Sequence, residues 1–187
     1  MNTTRLRLLA CLPQLVLLGI ELRTSYDTWP RQVALSLTNV AGLVAVLTFD
    51  RWLRRRGSRL SWVTVILTFG SIWLDALGNF QHLYAGYWWW DRITHTVGGM
   101  AISGGFIDFF QSWRRTGQLT VTWGFATLTG FLVGQLLGSL YEISEWLGDA
   151  WFGTNRVVYR YDTPHDLFFN ILGGLLVVLL ARLTRSR

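Results

Sequence analysis

The sequence predicts an all-α protein: a polytopic transmembrane helical bundle of about six spans, with helices three to six forming the core and residues 1–187 making a single integral membrane domain. Long apolar runs carry this reading. The hydrophobic fraction is 51%, mean hydropathy is +0.31, and the 11 Trp and 11 Phe fall largely within or beside those runs. The 17 basic residues are all arginines placed mainly in short connectors, which topology explains better than nucleic-acid binding. Within the runs, polar side chains recur four residues apart in line with small residues, so they share a helix face.

Taken in order, the first span, 6–22, is interrupted by Arg7, Pro13 and Gln14, and the Glu21-Leu22-Arg23 after it is no cleavage site, so it reads as an anchor. The second, 33–49, leads into the basic loop 51–59, which suits topology setting and contact with anionic lipid. The third, 60–84, carries Asp75, Asn79 and His82 late; Trp88, Trp89 and Trp90 then mark an interface. At the fourth, 93–110, Asp91, His95, Gly99 and Ser103 stand four apart. On the fifth, 119–147, Ala126, Gly130, Gly134 and Gly138 lead at the same spacing into Glu142, and Glu145 follows. The sixth, 167–183, comes after Asp162 and Asp166 and contains Asn170. Its expected start has Thr163 as N-cap, Pro164 in the first helical position and Asp166 at the capping-box position. Small residues let transmembrane backbones approach, so the seam that packs is the seam bearing the polar groups.

A cytoplasmic N-terminus puts 12 of the 17 arginines inside and leaves Arg23, Arg31, Arg92, Arg156 and Arg160 outside. By the positive-inside rule this predicts a multi-pass protein of the bacterial inner membrane with both termini cytoplasmic. The loop 51–59 is then internal, while the connector 148–163, with Asn155, is external and placed to act as a lid. Spans three and five run outward and carry their polar groups late; four and six run inward and carry theirs early. The polar groups should therefore meet at the outer surface. Asp108, near Arg114 and Arg115 at the inner end, is expected to form a surface ion pair.

Ionisable groups at membrane depth are costly unless paired or functional. Asp91, His95, Glu142, Asp162 and Asp166 are the candidate ligands for a divalent metal ion, since imidazole with carboxylate suits Zn, Mn or Fe, although the spacing matches no zinc signature. Asp91, His95, Glu142 and Glu145 are the candidate catalytic groups. Two carboxylates three apart would repel, leaving one able to hold and donate a proton. Asp75, Asn79, His82 and Asn170 are supporting residues. The leading expectation is an outward-facing site acting on an envelope lipid or headgroup by metal-assisted hydrolysis or transfer. The alternatives are a binder or proton- or cation-coupled transporter, and a structural or partner-binding membrane protein. Membrane lipids are the expected partners, nucleic acid is not, and the oligomeric state is left open.

Three motifs carry a family resemblance: Trp90-Asp91-Arg92-Ile93-Thr94-His95 with Gly98-Gly99, Tyr141-Glu142-Ile143-Ser144-Glu145-Trp146, and Tyr161-Asp162-Thr163 with Asp166-Leu167 and Asn170 before Gly173-Gly174. Through them, over about residues 75–180, the sequence resembles the YjdF-type family of small bacterial inner-membrane proteins. The spacing is also similar to that of VanZ-like proteins, in which Glu then Gln typically stand where this chain has Glu142 and Glu145. The resemblance implies a polytopic bacterial membrane protein and brings no settled reaction.

Overall fold

The computed structural model describes residues 3–24, 29–154, 156–157 and 159–185, with side chains from Cys11 to Leu183; Asn155 and Arg187 lie outside them. Seven helices form among these residues: α1 Thr3–Glu21, α2 Trp29–Arg54, α3 Trp62–Phe80, α4 Leu83–Gly86, α5 Trp90–Arg115, α6 Trp123–Phe152 and α7 Asp162–Arg185. α5 is the hub, packing on α3, α6 and α7, while α1 and α2 pair with each other and lie along α3.

Four helices are long and apolar enough to cross a membrane: α2, α3, α6, and α7 as far as Leu183. Four of the six expected spans correspond to these helices; the other two fall on α1 and α5, which do not meet the same length and apolarity among the described residues. In α1 the described side chains, Cys11–Glu21, form an apolar stretch shorter than a full crossing. α5, about 39 Å long at 1.5 Å per residue, has the length but carries Asp91, Arg92, Asp108, Arg114 and Arg115. Surrounded by three other helices, it presents little of its surface to lipid and need not be apolar throughout.

α6 shows the division of faces. Leu128, Leu132, Leu136 and Leu140 are exposed, as lipid-facing side chains are, whereas Ala126, Gly130, Gly134, Gly138 and Glu142 are buried on the opposite side. A Cβ on Gly130 would lie 2.6 Å from the backbone nitrogen of Ile107, and one on Gly134 would lie 2.6 Å from the Cα of Ser103. At the α5–α7 crossing, a Cβ on Gly99 would meet the Cα of Asn170 at 2.8 Å. Gly138 faces only the Asn170 side chain, at 3.7 Å, and Gly98 faces open space. Gly99→Ala and Gly134→Ala should therefore destabilise the bundle by about 1–3 kcal/mol each through overpacking. Gly98→Ala and Gly138→Ala, where the added Cβ has room, should leave stability unchanged or raise it by up to about 1 kcal/mol in detergent melts. Equal effects across the four would disprove these backbone contacts.

Helix ends differ from the sequence boundaries for identifiable reasons. Thr122 caps α6 by accepting from Phe125 N at 3.2 Å, and Gly153 ends it in the left-handed region at φ 64°, so the helix runs beyond the expected 147. α3 stops at Phe80, and His82 takes a left-handed φ of 52°, breaking the face shared by Asp75 and Asn79. Asp108 is not simply a surface ion pair. Its Oδ2 accepts from Ser61 N at 2.8 Å and the Thr64 hydroxyl at 2.7 Å, tying the start of α3 to α5. α7 begins at Asp162, so Thr163 lies inside the helix instead of capping it.

Candidate functional site

The late residues of α3 and α6 and the first turns of α5 and α7 converge at one end of the bundle. His95, one turn into α5, is the centre of the convergence. Its Nδ1 lies 3.3 Å from Glu142 Oε1 on α6; its Nε2 lies 3.3 Å from Asp91 Oδ1 and 3.4 Å from Asp166 Oδ1 on α7. The spacing of four that places Asp91 and His95 on one face brings the first pair together. The close α5–α7 crossing at Gly99 brings the third residue. Asn170, one turn after Asp166, donates to Glu142 Oε1 at 3.1 Å.

Burial is graded across this group. The Glu142 side chain is 2% exposed and that of Asp166 6%, whereas Asp91 is 27% exposed and opens toward solvent. Asp166 Oδ1 is buried without a hydrogen-bond partner. The capping role expected for Asp166 is accordingly not what its carboxylate does. Three carboxyl groups around one imidazole outnumber the base available to pair them, and an uncompensated buried charge costs several kcal/mol.

A second cluster adjoins the first and is centred on Arg156, which the α6–α7 connector delivers. Asp149 shapes that connector by accepting from Arg156 N at 2.8 Å, from Val157 N at 2.7 Å and from the Thr154 hydroxyl. The Arg156 guanidinium then reaches Glu145 Oε1 at 2.6 Å, the Tyr141 hydroxyl at 3.0 Å and Asp75 Oδ1 at 4.0 Å. Burial acts to lower the Arg156 pKa, but Tyr141, Glu145 and Asp75 outweigh it and hold the group well above its ordinary value. Asp75 also accepts from the Tyr84 hydroxyl at 2.8 Å and from Asn79 Nδ2 at 3.2 Å, and Arg31 Nη2 donates to Asn79 Oδ1 at 2.7 Å.

The expected residues therefore fall into different groups. Asp91, His95, Glu142, Asp166 and Asn170 meet directly, whereas Glu145, Asp75 and Asn79 belong to the arginine cluster. Glu142 and Glu145, expected to act on each other, face separate partners, His95 and Arg156. Asp162 is buried one turn before Asp166 but is not among the three residues whose donor atoms converge. His82 is exposed and outside both clusters, because the chain leaves the helix at Gln81. Sequence reasoning assigned no such role to Arg156, Tyr84, Tyr141 or Arg31. Arg156 carried one signal, as a cation on the arginine-poor outer side.

Asp91, His95 and Asp166 each offer one ligand atom, and these atoms lie within 4.8 Å of one another. Donors about 2.0–2.1 Å from a tetrahedral ion stand about 3.3–3.4 Å apart, which the two distances at His95 Nε2 match. Glu142 on Nδ1 would fix the tautomer that leaves Nε2 free to ligate, as outer carboxylates do for metal-bound histidines.

A model of the family described as "Predicted membrane protein (DUF2238)" matches residues 4–187, which bears out the YjdF-type resemblance. A curated relative from Thermotoga maritima, described as an uncharacterized protein, is 29% identical over 118 residues, covering 59% of this chain and 57% of its own. The chain thus matches somewhat over half the length of that relative. No solved structure matches.

Proposed function

The chain belongs to the DUF2238 family of predicted membrane proteins, and from that premise we propose that it is a multi-pass protein of the bacterial inner membrane using a divalent metal ion in an outward-facing site to act on an envelope lipid or headgroup. One observation carries the reading: two carboxylate oxygens from different helices converge on His95 Nε2 while Glu142 takes its other nitrogen. Asp91, His95 and Asp166 would hold the ion, and Asp162 stands nearby as a further oxygen donor. When bound, the ion supplies charge for activating water or polarising a phosphate or ester oxygen. Glu142 and Asn170 orient His95, and Asp91, the most open of the group, lies on the side from which solvent reaches the site. Hydrolysis or transfer at a phosphate or ester is the reaction class.

Full-length protein mixed with phospholipid and Mn2+ or Zn2+ should yield a metal-dependent lipid product by mass spectrometry, and Asp166→Asn should not. A wild-type protein that binds neither ion would overturn the reading.

The transport alternative has one observation in its favour. Gln135 continues the polar line inward from Asn170, donating to the Ser103 hydroxyl at 3.1 Å. Below Ser103, however, Gly130 packs directly against the Ile107 backbone, which leaves little room for a solute between α5 and α6 and favours a site open to one side.

Orientation has its own test. In a Cys11→Ser background, Tyr161→Cys should react with an impermeant maleimide in intact cells, and Arg55→Cys only after lysis. The opposite pattern would invert the topology.

A further inference from the structure

Arg92 follows Asp91 in the first turn of α5 and stands three residues before His95, so Arg92 and His95 share a face. Its guanidinium carbon lies 4.2 Å from the centre of the Trp88 ring and 5.7 Å from that of Phe169, which sits on α7 between Asp166 and Asn170. Two aromatic faces thus hold a planar cation beside the metal-type donors. No ion pair joins Arg92 to any described carboxylate, and its Nε is buried with no hydrogen-bond partner. The other outer arginines of the site behave differently: Arg31 is bonded to Asn79, and Arg156 is paired with Glu145.

Tyr159 ties Arg92 to the acidic group. Partial burial and the charges of Asp162, Asp166 and Asp91 push its hydroxyl pKa up, while Arg92 acts in the opposite direction, so the tyrosine senses both the acids and the arginine. Tyr159 is 44% exposed and bonded to His165 Nδ1 at 2.9 Å, which puts this place at the mouth of the site. A cation kept there only to offset the carboxylates would touch one of them. Arg92 instead stands stacked and unpaired, as a guanidinium does when its donors are reserved for an incoming anion.

We propose that Arg92, held between Trp88 and Phe169, recognises a phosphate group next to the Asp91, His95 and Asp166 donors, which makes a phosphate-bearing molecule the substrate class of this site. The inference rests on the metal-site reading above. Phosphate has oxygens enough for both a divalent ion and a bidentate guanidinium, and Arg is suited to it by its planar fork. Exposed Trp88, Trp89, Tyr161 and Phe168 border this end of the bundle. Aromatic residues of this kind sit at the level of lipid headgroups, where phosphates lie.

The test uses the full chain in maltoside micelles, which carry no phosphate. Mn2+ uptake is read first by electron paramagnetic resonance. Equilibrium dialysis then measures inorganic phosphate and short-chain phosphatidic acid, each with and without Mn2+. Arg92→Gln should weaken the bound phosphate species at least about tenfold while Mn2+ affinity stays within about twofold. Arg92→Lys, which keeps the charge and loses the fork, should recover only part of the loss. Binding of phosphatidic acid alone identifies a lipid headgroup as the source; binding of inorganic phosphate identifies the free ion. Wild-type protein that binds neither, or Arg92→Gln protein that binds as tightly as wild type, overturns the proposal even where Mn2+ is bound. Failure of the metal reading appears separately, as absent Mn2+ uptake, and the dialysis without Mn2+ still reads the part played by Arg92.

Discussion

Replacing His95 with Ala is expected to abolish stoichiometric binding of Mn2+ or Zn2+, weakening it by at least about 100-fold, because the substitution removes a direct ligand and the outer partners of metal ligands alone are worth about 10- to 100-fold. The Nε2 atom is the point on which Asp91 Oδ1 and Asp166 Oδ1 converge at 3.3 and 3.4 Å, so no neighbouring group can replace it. Glu142→Gln tests the other side of the ring. It keeps the shape and removes the carboxylate that receives the Nδ1 proton, and should weaken the ion by about 10- to 100-fold without abolishing it. Both readings come from metal analysis and titration calorimetry, with elution volume and melting temperature as folding controls. Equal metal content in wild type and His95→Ala would remove the site.

Arg156→Ala should lower stability by about 3–5 kcal/mol, the usual result of removing one partner from a buried ion pair. The Glu145 side chain is 9% exposed and that of Arg156 18%, so little water is present to solvate the carboxylate left behind. The loss should be local as well as global. Asp149 of α6 holds the backbone at Arg156 and Val157, while the Arg156 side chain adds contacts to Glu145 and Tyr141 on α6 and to Asp75 on α3, so its loss should accelerate proteolysis around residues 153–161. Adding Glu145→Gln to Arg156→Gln should recover most of the stability, since neither group is then charged. A melting curve for Arg156→Ala within about 1 kcal/mol of wild type would mean that the pair is effectively solvated.

Much of the arrangement was legible from residue spacing. Ala126, Gly130, Gly134, Gly138 and Glu142 had to occupy one face of α6 because 3.6 residues make a turn. Asp91 and His95 had to stack for the same reason. Alternating span direction brought the late residues of α3 and α6 to the same end as the first turns of α5 and α7. The family match adds weight to the membrane assignment, and four helices have the necessary length and apolar character.

Less legible were the contacts that depend on how a helix is rotated and where a connector travels. Glu142 and Glu145 look like a pair in sequence, yet three residues of helix turn one toward His95 and the other toward Arg156. His82 looked like the third member of the Asp75 face, but one left-handed residue turned it away. Asp108 looked like a partner for the adjacent arginines, while the start of a distant helix needed its carboxylate more. Arg156 gave no periodic signal, because its position follows from the folding of the connector around Asp149.

By itself, then, the sequence determined the helical class, the apolar faces, and the end of the bundle at which the charged groups collect, because all three follow from local periodicity and the order of the spans. The tertiary structure alone decided which charges became partners. Ångström-scale contact depends on the depth and rotation of neighbouring helices and on close backbone crossings such as Gly99 against Asn170, and neither is written in the period of any one helix.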